Sequence, residues 1–271
     1  MKDKATFFIN LENPDIVHLL DEHPYKLFEI TGIDSKTSQI IFVDEVQYLQ
    51  NPSNFLKLIY DDFHEHIKLV VSGSSSFYID QKFTDSLMGR KEYYEILTLN
   101  FEEFLVFREE EQIKQVLFED KKIPIGYKRR IEELFLEYIT YGGYPEVVLT
   151  PEIEKKKRKL ELLASDYIKK DIYDANISES TVFFNILKVL ATQTGALLNV
   201  QTLASMFGVS QPTVNKYLYI MQKSYSIGIS KPFWTNIVAE LTKMPKVYFF
   251  DLGMRNTLLR NFDTIKERLD K

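Results

Sequence analysis

Two carboxylates stand side by side at the end of a short apolar run, where Ile40-Ile41-Phe42-Val43 is followed by Asp44 and Glu45. That pattern suits metal-assisted hydrolysis. Mg²⁺ needs hard oxygen ligands on a rigid element, which Asp44 at a strand end supplies, and the second acid, Glu45, can polarise an attacking water. A second apolar run, Leu69 to Val71, closes on hydroxyls at Ser72 and Ser74. Ligands of open α/β sheets bind beyond the carboxyl ends of the strands, which makes Asp44, Glu45, Ser72 and Ser74 candidates for a binding site. The same residues also fit a plain structural reading, an acidic loop start after one strand and a Ser/Gly turn after the next.

Other chemistries find less support. With no cysteine there is no disulfide framework, thiolate nucleophile or cysteine zinc site. Among the four histidines, His64 and His66 are two apart, so on a helix they point to different faces, whereas helical metal pairs sit four apart. All four are read as structural or solvent-facing. The net charge of −5 opposes bulk attraction to nucleic acid, but it is unevenly spread. Residues 1–110 hold twenty acidic and ten basic side chains, while residues 196–250 hold five lysines against the single acid Glu240.

The elements that must position these groups follow from pattern. ATFFINL, a helix near Asp15 to Thr31, QIIFVDE, another helix and KLVVSGS alternate as βαβ units do, predicting a parallel sheet. From about Phe107 to Tyr173 the chain reads as charged amphipathic helices, broken at YGGYPE, Tyr141 to Glu146. The run EKKKRKLELL is expected to form a helix with a solvated basic face. From about Ser178 come further helices and two strand-like runs, the order of a winged helix. The predicted domains are therefore 1–106, 107–177 and 178–271. A chain of 271 residues, 45% apolar and 14% aromatic, can fill such cores. No stretch approaches the ~20 apolar residues of a membrane span, so no membrane partner and a soluble, cytoplasmic protein are expected.

Within the third segment, Ala204 sits where two helices would cross closely, Gly208 provides the turn, and Ser210 caps the next helix with Pro212 in its first turn. Leu203, Val214 and Leu218 face the core. Gln211, Thr213, Asn215 and Lys216 are then presented outward, where Asn and Gln can read adenine edges and Lys a phosphate or guanine. Only Lys216 and Lys223 are basic within this helical pair, so DNA binding would be weak or salt-sensitive, and docking of a protein or self-association fits the same module.

Taken in order, FINLENPD, IIFVDEVQ, KLVVSGSSS, LMGRKEYYEILTLNFEEFL, YGGYPEVVL and a C-terminal segment ending in KMPKVYFFDLGMRN resemble the prokaryotic AAA-like P-loop ATPases with an appended DUF4143 winged-helix domain. The resemblance implies ATP and Mg²⁺ as cofactors. It makes IIFVDE a Walker B strand, with Asp44 the magnesium acid and Glu45 the water-activating one, and it makes Ser72 or Ser74 a sensor of the γ-phosphate. Arg90 in LMGRK would be a phosphate-directed arginine; the residue type alone fits a surface turn equally well. Many members also carry a nuclease-like C-terminal region.

One part of that family's pattern does not occur. No G-x-x-x-x-G-K followed by Ser or Thr is present in the 271 residues, and the nearest stretch, SGSSSFYIDQK, lacks the second glycine and the Lys-Ser/Thr pair in register. The chain opens at what looks like the family's second strand. The expectation is an incomplete α/β ATPase core, a fragment or truncated form with Walker B but no Walker A, inactive alone and without tightly bound ATP. The alternative is a non-catalytic winged-helix module for DNA or protein docking on a vestigial ATPase scaffold.

Overall fold

The computed structural model describes residues 6–34, 37–73, 87, 89–118, 123–233 and 243–263. The chain divides into two compact units, Met1–Glu95 and Ile96–Lys271. The helix at Phe101–Phe107 therefore lies in the second unit, and the helical stretch and the region after residue 178 share that unit.

The first unit is built on β1 (Thr6–Asn10), β2 (Gln39–Asp44) and β3 (Ile67–Val71), a parallel sheet in the order β1-β2-β3. Between the strands run α1 (Pro14–Glu22), α2 (Lys26–Thr31), a 3₁₀ turn at Val46–Tyr48 and α3 (Pro52–Phe63). The single helix expected from Asp15 to Thr31 is broken in two. Pro24 lacks an N–H and its ring forces the preceding residue out of helical geometry, so His23 is extended at φ −156°, ψ 119°.

Sequential strand order has a direct consequence for the layers. Parallel crossovers are right-handed, so two successive crossovers in the same direction put their helices on one face. Ile9, Ile41, Val43 and Ile67 are accordingly buried with Leu20, Leu27, Phe55 and Ile59 from the helices. The opposite face carries Phe8, which is 68% exposed, with Phe42 beside it in register and Val70 beyond. A parallel sheet is ordinarily covered on both faces, and here the described residues cover one well and the other poorly.

The second unit begins with α4 (Phe101–Phe107), α5 (Glu111–Phe118), α6 (Ile125–Tyr141), α7 (Pro145–Val148) and α8 (Ile153–Asp174). It continues with α9 (Ser180–Thr192), α10 (Val200–Phe207), α11 (Gln211–Lys223), the antiparallel pair β4 (Ile227–Ser230) and β5 (Lys246–Phe249), and α12 (Leu252–Leu259). Residues 195–198 lie along β5, with Gly195 N donating to Val247 O at 2.7 Å and Leu198 N to Pro245 O at 2.8 Å. Helix α12 packs against α6, α8 and α9, tying the two ends of the unit together.

The lysine-rich helix does not behave as its composition suggests. Lys156 of α8 is 2% exposed and pairs with Glu137 of α6 at 2.7 Å. Arg108 reaches the same carboxylate at 3.3 Å and donates to Val148 O at 3.2 Å. One lysine of the run is thus turned inward among aromatic and carboxylate groups, while Lys155, Lys157 and Lys159 pair with Glu152, Glu154 and Glu146 nearer the surface.

Asp251 is also buried. It is 5% exposed and caps α12, accepting from Met254 N at 2.9 Å and from Gly143 N at 2.7 Å. Gly142, at φ +77° and ψ −168°, adopts a backbone open essentially to glycine, and a β-carbon there would fall 2.1 Å from the Asp251 carboxylate. Burial raises the Asp251 carboxyl above its ordinary range, against the lowering effect of its hydrogen bonds.

Candidate functional site

In the first unit, β2 is the central strand and its last residue is Asp44. The apolar run Ile40–Val43 forms the strand because β-branched residues fit a pleated, buried surface, and the polar residues begin where the chain leaves the sheet. The flanking strands deliver their own termini to the same end. Asn10 stands beside Asp44 in register, Leu11 N donates to Asp44 O at 3.1 Å, and Ser72 N donates to Val43 O at 3.0 Å. The Ser72 hydroxyl donates to the Asp44 carboxylate. Asp44 and Ser72 are therefore brought together, as their positions after adjacent strands require.

Glu45 leaves the strand in a left-handed conformation, φ 57° and ψ 46°, which costs a non-glycine residue about 1–2 kcal/mol. Its amide-linked neighbour is fixed by Val46 N donating to Ser72 O at 3.0 Å, and its carboxylate accepts from the Gln47 side chain. A strained, non-glycine residue at the mouth of a sheet is the kind of outlier that points toward a site. The sequence reading overlooked Asn10 and Gln47; a polar residue straight after the FFI run was the available signal for the first.

Arg90 is elsewhere. Its Nε pairs with Asp61 at 2.7 Å, in the last turn of α3. That helix is 12 residues long and returns along the sheet for about 18 Å, toward the start of β3. The pairing ties the guanidinium to the last turn of α3. Ser74 falls outside the described residues.

The oxygens of Asp44 and Ser72 form a hard donor set suited to Mg²⁺. Among the described residues no three His, Asp or Glu side chains gather as a metal site, so a magnesium ion here would draw most of its remaining ligands from phosphate and water, as that ion commonly does.

In the second unit, α10 ends at Gly208 in the left-handed region, φ 66°, and α11 begins three residues on, capped by Ser210, which accepts from Thr213 N at 3.2 Å. Leu203, Ala204, Val214 and Leu218 are buried. Gln211, Asn215 and Lys216 are exposed on α11, whereas Thr213 is half-buried and its hydroxyl bonds Ser210 Oγ at 2.8 Å. Capping therefore claims Thr213. Exposed Tyr219 joins the outer stripe one turn beyond Asn215, with Lys223 Nζ 5.7 Å from its ring centroid.

Comparison with known proteins agrees with the division into two parts. Residues 1–105 match the family described as AAA domain, and residues 132–264 match a domain of unknown function, DUF8612. The N-terminal region is thus similar to AAA-like ATPases. The second match corrects the DUF4143 expectation. Two of the motifs in the series that suggested it, YGGYPE and FDLGMRN, are the glycine turn and the capped helix that meet at Asp251, so local packing accounts for both. An uncharacterized protein of Methanocaldococcus jannaschii is 26% identical over 97% of this chain and 57% of its own length. An uncharacterized protein of Haemophilus influenzae is 21% identical over 92% of this chain and 60% of its own. The chain spans less than two thirds of either relative. Among the described residues no helix is long and apolar enough to cross a membrane.

Proposed function

We propose that the first unit carries the acidic half of an ATP–magnesium site, with Asp44 as the magnesium ligand and Glu45 as the water-activating acid. The observation that carries this is the convergence of Asp44, Glu45 and Ser72 at the carboxyl end of the central strand, in a region similar to AAA domains. Bound Mg²⁺ would neutralise phosphate charge; Ser72 orients the Asp44 carboxylate, and Gln47 holds that of Glu45. Arg90 joins such a site only by leaving Asp61. The phosphate-binding half, an amide nest with its lysine, is not encoded in these residues, and phosphates beside two carboxylates without that counterweight bind poorly. On this reading these residues by themselves do not hold ATP and magnesium tightly. Its melting temperature should accordingly be unchanged by magnesium and low-millimolar ATP. A saturable rise in melting temperature, abolished by Glu45→Gln or Asp44→Ala, would show that the site is complete as it stands.

A second reading concerns α9 to β5, whose helix, isolated bridge at Leu197, two helices and antiparallel strand pair have the order of a winged helix. The exposed α11 stripe of Gln211, Asn215, Lys216 and Tyr219 supports duplex DNA as its ligand, with Lys216 on phosphate or guanine. Lys216→Glu should weaken binding to a short duplex at low salt, and the slope of log affinity against log salt should fall by about one. An isotherm identical to wild type would leave docking of a protein as the use of this surface.

A further inference from the structure

We propose that the outer face of the β4–β5 pair is a stacking platform for single-stranded DNA, with Tyr248 and Phe250 receiving successive unpaired bases and Lys246 an adjoining phosphate. Strand alternation sorts the two sides of the pair. Ile227, Val247 and Phe249 are buried, which turns Lys246 and Tyr248 outward beside their cross-strand partners Ser230 and Gly228. Tyr248 is 41% exposed and Phe250, just past the end of β5, 42%. Leu197, bridged to Lys246 on the far side of β5, is exposed and widens the same face.

The strands on either side of Tyr248 place glycine next to the rings. A β-carbon on Gly195 would lie 3.7 Å from Tyr248 Cε1, and one on Gly228, opposite Tyr248 in register, 3.6 Å from Phe250 Cε2. Both rings thus lean over bare backbone on one side of the pair, and the glycines keep neighbouring side chains off them. Tyr225 meets the Phe250 ring at 82° with centroids 5.7 Å apart, an edge contact that holds the ring in place. Positions two apart on one face of a strand are separated by about 7 Å, room for two bases drawn out of their stack to lie on two rings.

Charge identifies the occupant. Residues 196–250 hold five lysines against one acid, and three of the lysines, Lys231, Lys243 and Lys246, stand exposed on or beside the pair. Lysine is depleted from protein–protein interfaces, whereas lysine interleaved with aromatic rings tracks a phosphate backbone while the rings stack bases of any sequence. In a duplex the base faces are already stacked on one another, so the strand on this platform is single. Tyr248 is flanked by glycines, which offer no side chain to a ribose 2′-hydroxyl, so the platform suits DNA. The face is distinct from the exposed stripe of α11, and the proposal does not rest on duplex binding there.

Fluorescence anisotropy of a labelled oligo-dT strand, titrated with the full chain at low salt, tests the platform. Losing one base–aromatic stack should weaken binding at least about fivefold in Tyr248→Leu, while Tyr248→Phe, which keeps the ring, should bind as wild type does. Lys246→Gln should lower the slope of log affinity against log salt by about 0.7, the value for one phosphate contact on a single strand. That arm leaves the rings untouched, and because both side chains are exposed the melting temperatures should stay at the wild-type value. Lys216→Glu should not alter oligo-dT binding, which separates failure of this proposal from failure of the duplex reading. No saturable binding, wild-type affinity in Tyr248→Leu, or an equal loss in Tyr248→Phe would each overturn the proposal, and tighter binding of oligo-rU than of oligo-dT would overturn the assignment to DNA. Self-association that Tyr248→Leu abolishes, without oligo-dT binding, would give the face to a second copy of the chain instead.

Discussion

Replacing Gly253 with alanine is expected to destabilise the second unit by about 3 kcal/mol or more, among the largest effects open to a single methyl group. The added β-carbon would sit 2.1 Å from Tyr141 O, 2.4 Å from Tyr141 C and 2.9 Å from Gly142 N. All three are backbone atoms, so no side-chain rotation relieves the clash. Relief requires moving α12 away from the end of α6, and that movement would stretch the Asn256 bonds to Ile139 O and Thr140 O and the Asp251 bond to Gly143 N. Urea unfolding followed by helical ellipticity measures the effect as a lower midpoint with an unchanged slope. Gly126→Ala is the control. That glycine has nothing within 4 Å of the added carbon and lies in α6, where alanine is the better helix former, so its midpoint should hold or rise. Equal midpoints for the two variants would mean that α12 and α6 are not in the close contact described.

Removing the carboxylate of Glu137 should have a comparable effect by a different mechanism. Lys156 is 2% exposed, and its ammonium bonds Glu137 at 2.7 Å, with the Tyr141 ring centroid 5.8 Å away. Glu137→Ala leaves a buried cation without its partner, and breaking a buried pair from one side typically costs about 3–5 kcal/mol. Because Glu137 is itself partly exposed, water entry will moderate the loss, while Arg108, held by the same carboxylate, loses its partner too; a cost within that range is expected. Lys156→Met keeps the volume and removes the charge that needs compensation. It should be close to neutral, and combining it with Glu137→Ala should recover most of the lost stability. A double variant no better than Glu137→Ala alone would place the cost in packing instead of in the stranded charge.

These two sites show where sequence reasoning reaches its limit. The run EKKKRKLELL announces a helix with lysines around it, and α8 is that helix. Which lysine turns inward depends on what α6 presents opposite, and Glu137 lies 19 residues away with no local sign of the pairing. YGGYPE likewise announces a break, and the break occurs at Gly142. That the same glycines admit an aspartate 108 residues further on is a matter of tertiary approach. In the first unit, alternation of apolar runs and helices was enough to expect a parallel sheet, and with it that Asp44 and Ser72, each following a strand, would lie at one end of that sheet. Arg90 was read from a dipeptide, and its partner Asp61 is 29 residues distant on the returning end of a helix.

What the sequence determined by itself was local: strands where β-branched residues cluster, helices where apolar residues recur every three or four positions, turns at Gly208 and Gly142, and a pair of acids at a strand end. Those properties depend on short-range sterics and on the burial of one face, both of which a short window contains. What only the tertiary structure decided was which polar groups from distant elements share a buried volume: Lys156 with Glu137, and Gly143 with Asp251. A buried charge is tolerated only where its partners converge from separate elements, and that convergence depends on how the elements pack.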